Sequence, residues 1–109
     1  MIELTKNEEL VLLSILKLKD NAYGVTIRDA FFKVTGKVLN YGSLYNTLYG
    51  LVRRGLIKST ESLPLSQKGG RRRILYRLTI NGTKALSEWQ IIQHKAWEDI
   101  PDLSEQREK

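Results

Sequence analysis

The stretch 40–57 constrains the fold most, because it carries the complete pattern of a short amphipathic helix. Leu44, Leu48 and Leu51 recur at spacings of four and three residues, which places them on one face of a helix. The asparagine at its start is a favoured N-cap, and Gly55 can adopt the left-handed conformation that ends a helix. We therefore predict a helix here, with its leucine face buried in a core.

Small side chains occupy the outward face of this predicted helix. Ser43, Asn46, Thr47 and Gly50 lie away from the leucine face. Short hydrogen-bonding side chains near a helix N-terminus are typical of a helix that lies in the DNA major groove and contacts base edges. An ordinary surface helix would show the same pattern, so this stretch alone leaves both interpretations open.

Positive charge is concentrated in the middle of the chain. The formal net charge is +6, but the segment 30–87 holds eleven Lys or Arg residues and one acid, Glu61, so eleven minus one gives this segment +10. A basic block that contains a candidate groove helix is the electrostatic footprint of a polyanion binder. A merely solvated surface usually mixes both signs, so it explains the pattern less well.

Two helices are predicted before this stretch. Thr5 and Glu8 form a capping box, so the first helix is expected over about 6–19. The second helix is expected over about 24–35, and a short strand over 37–39 should follow it. The second helix should bury Val25 or Ile27, together with Ala30, Phe31 and Val34.

A hairpin and a last helix are predicted after it. Two antiparallel strands are expected over 56–63 and 71–79, and a final helix over about 80–99, since Pro101 cannot continue it. This order gives a mainly α fold with a small β-hairpin, an α+β winged helix-turn-helix. We expect a DNA-binding domain over 1–79, a dimerisation helix over 80–101 and a flexible tail over 102–109.

Apolar side chains exceed what one small domain can bury. Over 10–18 only Ser14 and Lys17 are polar, so the first helix needs cover on more than one side. The last helix carries a long apolar stripe that is too large to stay in water. We therefore predict a homodimer. Its expected interface residues are Leu12, Leu86, Trp89, Ile92, Ala96 and Trp97.

Four motifs follow one another from about Glu8 to Trp97. The first motif combines 9–16 and 22–27, and the third is the basic segment 69–79. The fourth, at the entry to the last helix, consists of Asn81, Gly82 and Leu86. The second is the helix motif Gly42, Ser43, Leu44, Tyr45, Leu48, Leu51, Gly55, Leu56 and Ile57. Together they resemble the PadR-like family of transcriptional regulators. The resemblance implies a winged-helix repressor that binds double-stranded DNA. It also implies that a small planar aromatic effector can bind at the dimer interface.

The candidate DNA-binding residues form two groups. The helix contributes Asn40, Tyr41, Gly42, Ser43, Tyr45, Asn46 and Thr47, and the hairpin contributes Lys68, Gly69, Gly70, Arg71, Arg72 and Arg73. The two phenols can donate to phosphate oxygens, and the arginines can bind phosphates or enter a narrow minor groove. For the hairpin residues, the alternative is a loop that only aids solubility. For Tyr45, the alternative is a side chain that packs inward.

Other classes of function have less support. A winged-helix module for protein contacts is the main alternative, and an RNA-binding domain is the third. The sequence contains no phosphate-binding loop and no recognisable catalytic triad, so we expect neither an enzyme nor a cofactor. It has no cysteine and a single histidine, His94, so no metal site is expected. We see no signal peptide or membrane-spanning run and expect a cytoplasmic protein.

Overall fold

Four α-helices and one antiparallel hairpin make up the fold in the computed structural model, which describes residues 2–61 and 73–106 of the 109-residue chain. The helices are α1 (Lys6–Leu18), α2 (Gly24–Thr35), α3 (Tyr41–Arg53) and α4 (Ile80–Trp97), and the strands are β1 (Ile57–Glu61) and β2 (Ile74–Leu78). One-turn 3-10 helices cover Lys19–Asn21 and Leu103–Gln106. The prediction of an α+β winged-helix fold is confirmed.

The capping box predicted at the start of α1 is present. The Thr5 hydroxyl accepts a hydrogen bond from the Glu8 N–H at 3.1 Å, and the Glu8 carboxylate accepts one from the Thr5 N–H at 2.9 Å. The helix ends at Leu18, one residue earlier than predicted, because Lys19 takes a positive φ of 56°. Lys19 is the first residue of the one-turn 3-10 helix that leads towards α2.

The core lies between α1, α2, α3 and the base of the hairpin. Leu44, Leu48 and Leu51 are all at most 1% exposed, as their spacing predicted. Burying each such side chain contributes about 1.5–3 kcal/mol, so this stripe anchors α3 firmly. Leu12 is also 0% exposed within its own chain. The prediction that Leu12 lies at a dimer interface is therefore corrected, because it has no surface left to offer a partner.

The apolar stripe of α2 is narrower than the sequence suggested. Ile27 and Phe31 are buried, whereas Ala30 is half-buried. Val25 lies on the opposite face and is 49% exposed, and Val34 is 56% exposed in the last turn, where the helix projects past the core. The expected burial of Val34 is therefore wrong. Gly36 ends the helix in the left-handed conformation, with a φ of 72°.

The short strand predicted over 37–39 does not form. The segment is a loop in which the Leu39 carbonyl accepts a hydrogen bond from Nε of Arg28 at 2.7 Å. The N–H of Lys37 donates to the Thr35 hydroxyl at 3.0 Å. Because side chains satisfy these backbone groups, the segment needs no partner strand.

The hairpin is antiparallel, with Ile57 opposite Leu78 and Glu61 opposite Ile74. The described strands are shorter than predicted, and the segment 62–72 lies outside the described residues. The Tyr76 N–H of β2 donates to the Ala22 carbonyl at 2.9 Å, and the Tyr76 side chain is buried. The base of the hairpin is therefore fixed to the connection between α1 and α2.

The start of α4 is fixed to the end of α3. The Thr79 hydroxyl accepts a hydrogen bond from the Gly82 N–H at 3.0 Å and donates one to the Gly55 carbonyl at 2.6 Å. A side chain at position 82 would lie 2.0 Å from the Leu56 carbonyl oxygen, so this close approach requires glycine. Among the described helices, none is long and apolar enough to cross a membrane.

The second half of α4 extends away from the core. The radius of gyration is 16.5 Å, compared with about 13 Å expected for a compact chain of this length. Ile91 and Trp97 are 55% and 59% exposed, in contrast to Ala85 and Leu86 in the first half, which are buried. The apolar stripe of α4 is therefore only half covered by its own chain.

Candidate nucleic-acid interface

One stripe of α3 points directly away from its buried leucines. Gly42, Asn46, Tyr49 and Arg53 follow one another at spacings of four, three and four residues, so they share this outer face. All four are exposed, and Tyr49 is 65% exposed. This stripe presents an amide, a phenol and a guanidinium side by side. These groups can form hydrogen bonds with base edges or phosphates.

The residues at the start of α3 have different neighbours. The side chain of Asn40 accepts a hydrogen bond from the Ser43 N–H at 2.8 Å, so it caps the helix as predicted. Ser43 is exposed beside the outer stripe. Thr47 is half-buried and lies on the flank of the helix. Of the three polar residues predicted on the outward face, Ser43 and Asn46 therefore have the better access to a ligand.

Tyr41 and Tyr45 form a stacked pair along one flank of α3. Their ring centroids are 6.2 Å apart with an angle of 21° between the planes, and the rings are 41% and 48% exposed. The guanidinium of Arg28 lies 4.4 Å from the centroid of the Tyr41 ring. Because the ring already restricts the guanidinium, little further conformational entropy is lost when such a cation binds an anion.

The end of the Tyr45 side chain is directed at α2. A Cβ atom built on Gly24 would lie 2.2 Å from the Tyr45 hydroxyl oxygen and 3.1 Å from Cζ. The tyrosine therefore occupies the space that a side chain at position 24 would need.

The pKa of Tyr76 is raised above its usual value. Burial of this side chain is the larger cause, and the neighbouring phenol of Tyr45 is the second.

Tyr49, Arg53 and Arg28 join the candidate interface only in the structure and were not among the residues predicted from the sequence. The Arg53 guanidinium lies 5.7 Å from the centroid of the Tyr49 ring, and both side chains belong to the outer stripe. The repeat of tyrosine at every fourth position from 41 to 49 was visible in the sequence and would have identified Tyr49. Arg28 lies on α2, so only the tertiary structure brings it to this surface.

Arg73 is the described member of the predicted hairpin group. It is exposed, and its guanidinium lies 4.4 Å from the centroid of the Tyr23 ring. Tyr23 precedes α2, so this contact brings the second strand of the hairpin close to the helix-turn-helix. The remaining predicted residues, Lys68, Gly69, Gly70, Arg71 and Arg72, lie outside the described residues.

The predicted dimerisation residues are spread between core and surface. Leu86 is 8% exposed, Trp89 and Ile92 are half-buried, and Ala96 and Trp97 are exposed. Trp89 donates from its indole Nε1 to the Ile2 carbonyl at 2.9 Å, which fixes the N-terminal segment to α4. Within 2–61 and 73–106, no group of three or more His, Cys, Asp or Glu side chains could hold a metal ion.

Comparison with known proteins identifies related regulators. The model of the transcriptional regulator PadR-like family matches residues 12–88. A PadR family transcription regulator from Clostridium difficile is 31% identical, with a TM-score of 0.61 over 85% of this chain and 88% of that chain. A candidate transcriptional regulator from Thermoplasma acidophilum is 25% identical, with a TM-score of 0.68 over 91% and 93%. RosR from H. salinarum shares the fold at 24% identity, with a TM-score of 0.69 over 95% and 86%. No curated protein gives a match.

Proposed function

We propose that this chain, which belongs to the transcriptional regulator PadR-like family, is a sequence-specific DNA-binding repressor that acts as a homodimer. In this proposal α3 lies in the major groove and the hairpin contacts the flanking backbone. A dimer that occupies an operator represses by excluding the transcription machinery from the same DNA.

The outer stripe of α3 is the observation that carries the proposal. Asn46 lies at its centre, exposed and opposite the buried leucines. Asparagine can form two hydrogen bonds with the major-groove edge of adenine, which discriminates between bases by about 1–3 kcal/mol. Glycine at position 42, one turn before it, leaves room for close approach of the helix to the bases.

Phosphate contacts are expected on both sides of this stripe. Arg28 of α2 and Tyr41 of α3 lie against each other on one side, and Arg53 lies at the C-terminal end of α3. Arg73 extends the basic surface to the hairpin. These groups suit the sequence-independent part of DNA binding, because cations that neutralise phosphates release counterions.

The homodimer proposal is supported by the exposed apolar side chains in the second half of α4. Exposed Trp97 continues the stripe of buried Leu86, and Ile91 adds a second exposed apolar side chain on another face. A groove of about 380 Å³ lies between α1 and α4, and its apolar lining includes Leu13, Leu16 and Leu86. A second copy of α4 could cover these surfaces in a two-fold arrangement. The aromatic effector implied by the resemblance would also bind at this interface.

A two-fold dimer would present two copies of α3, so we propose a palindromic operator with half-sites about one helical turn apart. Selection from a random duplex library, followed by binding measurements with selected and scrambled duplexes, tests this proposal. An enriched palindrome that binds tightly and loses affinity steeply with salt is the expected result. If no duplex is preferred over random DNA, the alternative of a protein-interaction module applies instead.

A further inference from the structure

We propose that Tyr45 is a positioning residue that fixes α3 to the start of α2 and thereby sets the distance between α3 and the hairpin. This inference rests on the DNA-binding function proposed above and assigns Tyr45 a role different from that of a phosphate donor. The assignment depends on three consecutive residues, Ala22, Tyr23 and Gly24, which we call the junction.

Each junction residue contacts a different part of the proposed interface. The Ala22 carbonyl accepts the Tyr76 N–H of β2 at 2.9 Å. The ring of Tyr23 lies against the Arg73 guanidinium, with 4.4 Å between centroid and Cζ. Gly24 leaves the space that the end of the Tyr45 side chain occupies. The hairpin and α3 are thus attached to the same short piece of backbone.

The junction itself is held rigidly. The Tyr23 N–H donates to the Thr26 hydroxyl at 3.0 Å, and that hydroxyl donates to the Asn21 carbonyl at 2.6 Å. The side chain of Ala22 is 0% exposed, and Gly24 is buried. Parts attached to such a junction keep a fixed separation, and DNA recognition requires this because base and phosphate contacts must form in register.

The direction of the Tyr45 side chain favours positioning over a phosphate contact. Its hydroxyl oxygen is the atom nearest to the position that a Cβ on Gly24 would occupy. After burial, its phenol is the second cause of the raised pKa of Tyr76 in the hairpin. Part of the ring is exposed, but the polar end is turned towards α2. Tyr41, one turn earlier, remains the better candidate for donating a hydrogen bond to a phosphate oxygen.

A double-mutant cycle with Gly24→Ala and Tyr45→Phe tests the proposal. The methyl group of Gly24→Ala would collide with the Tyr45 hydroxyl, so this variant should lower affinity for the selected duplex about tenfold. In the Tyr45→Phe background the hydroxyl is gone, and the effect of Gly24→Ala should be several times smaller. Tyr45→Phe alone should bind selected and scrambled duplexes almost as well as the parent chain, since no phosphate contact is lost.

The same cycle is measured on the free protein by chemical denaturation, with Gly50→Ala as the matched control, because a Cβ at position 50 meets nothing within 4 Å. Gly24→Ala should destabilise the fold and Gly50→Ala should not. If Gly24→Ala does not fold, Tyr45→Ala replaces it. Tyr45→Ala loses the ring and should lose affinity for the selected duplex, whereas Tyr45→Phe keeps the ring and should not.

The outcomes separate this proposal from the function on which it rests. If the parent chain prefers no duplex, the DNA-binding function is wrong and the positioning role is wrong with it. If the parent chain binds specifically but the two substitutions are additive, and Tyr45→Phe weakens binding to selected and scrambled duplexes alike, Tyr45 is a phosphate donor and only the positioning role is overturned. Coupling between the two sites, with Tyr45→Phe close to the parent chain on both duplexes, supports the proposal.

Discussion

Nη1 of Arg54, at the end of α3, lies 3.0 Å from Oε2 of Glu8, in the first turn of α1. Oε1 of the same carboxylate accepts the Thr5 N–H at 2.9 Å. Arg54 also donates to the carbonyl of Glu3. The Glu8 carboxylate therefore caps α1 with one oxygen and binds Arg54 at the end of α3 with the other.

Two substitutions of Glu8 should separate these roles by their effect on the free energy of unfolding. Glu8→Gln keeps the cap but loses the partly exposed ion pair, so it should cost at most about 1 kcal/mol. Glu8→Ala loses both interactions and should cost about 1–2 kcal/mol. Urea denaturation measures the difference, and part of the Glu8→Gln effect should disappear at high salt. Equal costs for the two variants would contradict this division.

The stability should fall at high pH in a way that depends on Tyr76. Burial, and secondarily Tyr45, raises the pKa of this phenol above that of the unfolded chain, which is about 10. The folded chain therefore holds the proton longer, so its stability is complete below about pH 10 and decreases as the pH rises towards the folded pKa. Thermal unfolding from pH 8 to 11 should decline less in Tyr76→Phe than in the parent chain. Parallel curves would show that Tyr76 does not contribute.

Arg53 should contribute to the binding of all duplexes alike. It is exposed at the C-terminal end of α3 and lies against the ring of Tyr49. Arg53→Ala should therefore weaken binding to selected and scrambled duplexes by similar factors and lower the salt slope by about one unit. Lys17→Ala in α1 is the charge-matched control and should leave the slope unchanged. An effect of Arg53→Ala that is confined to the selected duplex would instead indicate contact with a base.

The dimer should depend on the exposed half of α4. Trp97→Glu places a charge on the apolar stripe where we propose a partner helix, so it should produce a monomer. Light scattering at micromolar concentration measures the mass, and Val34→Glu on α2 supplies a matched control at a similarly exposed site. A parent chain that is monomeric under these conditions would contradict the dimer, as would a Trp97→Glu variant that remains dimeric.

Local signals made much of the fold predictable from the sequence. The Thr5 and Glu8 capping box, the leucine spacing in α3 and the glycine stop at Gly55 each depend on residues within a few positions of one another. The winged-helix order followed from placing such elements in sequence. The predicted strand over 37–39 failed because its backbone groups found side-chain partners instead.

Contacts between distant positions could not be predicted in the same way. Periodicity places Leu12 on an apolar face, but it does not say whether its own chain or a second chain covers that face. The approach of Tyr45 to Gly24 and that of Arg28 to Tyr41 depend on how α3 packs against α2. Candidate site residues on α3 were therefore identified from spacing, whereas their partners on α2 required the tertiary structure.

Base recognition by α3 is tested by the binding of the parent chain and Asn46→Ala to selected and scrambled duplexes at several salt concentrations. Because Asn46 lies at the centre of the outer stripe of α3, its loss should cost about 1–3 kcal/mol on the selected duplex and almost nothing on the scrambled one. Arg72→Ala, in the basic segment 69–79 of the sequence, should instead weaken binding to both duplexes equally. If Asn46→Ala leaves the discrimination between the two duplexes unchanged, α3 does not read the sequence through this residue, and the central claim is wrong.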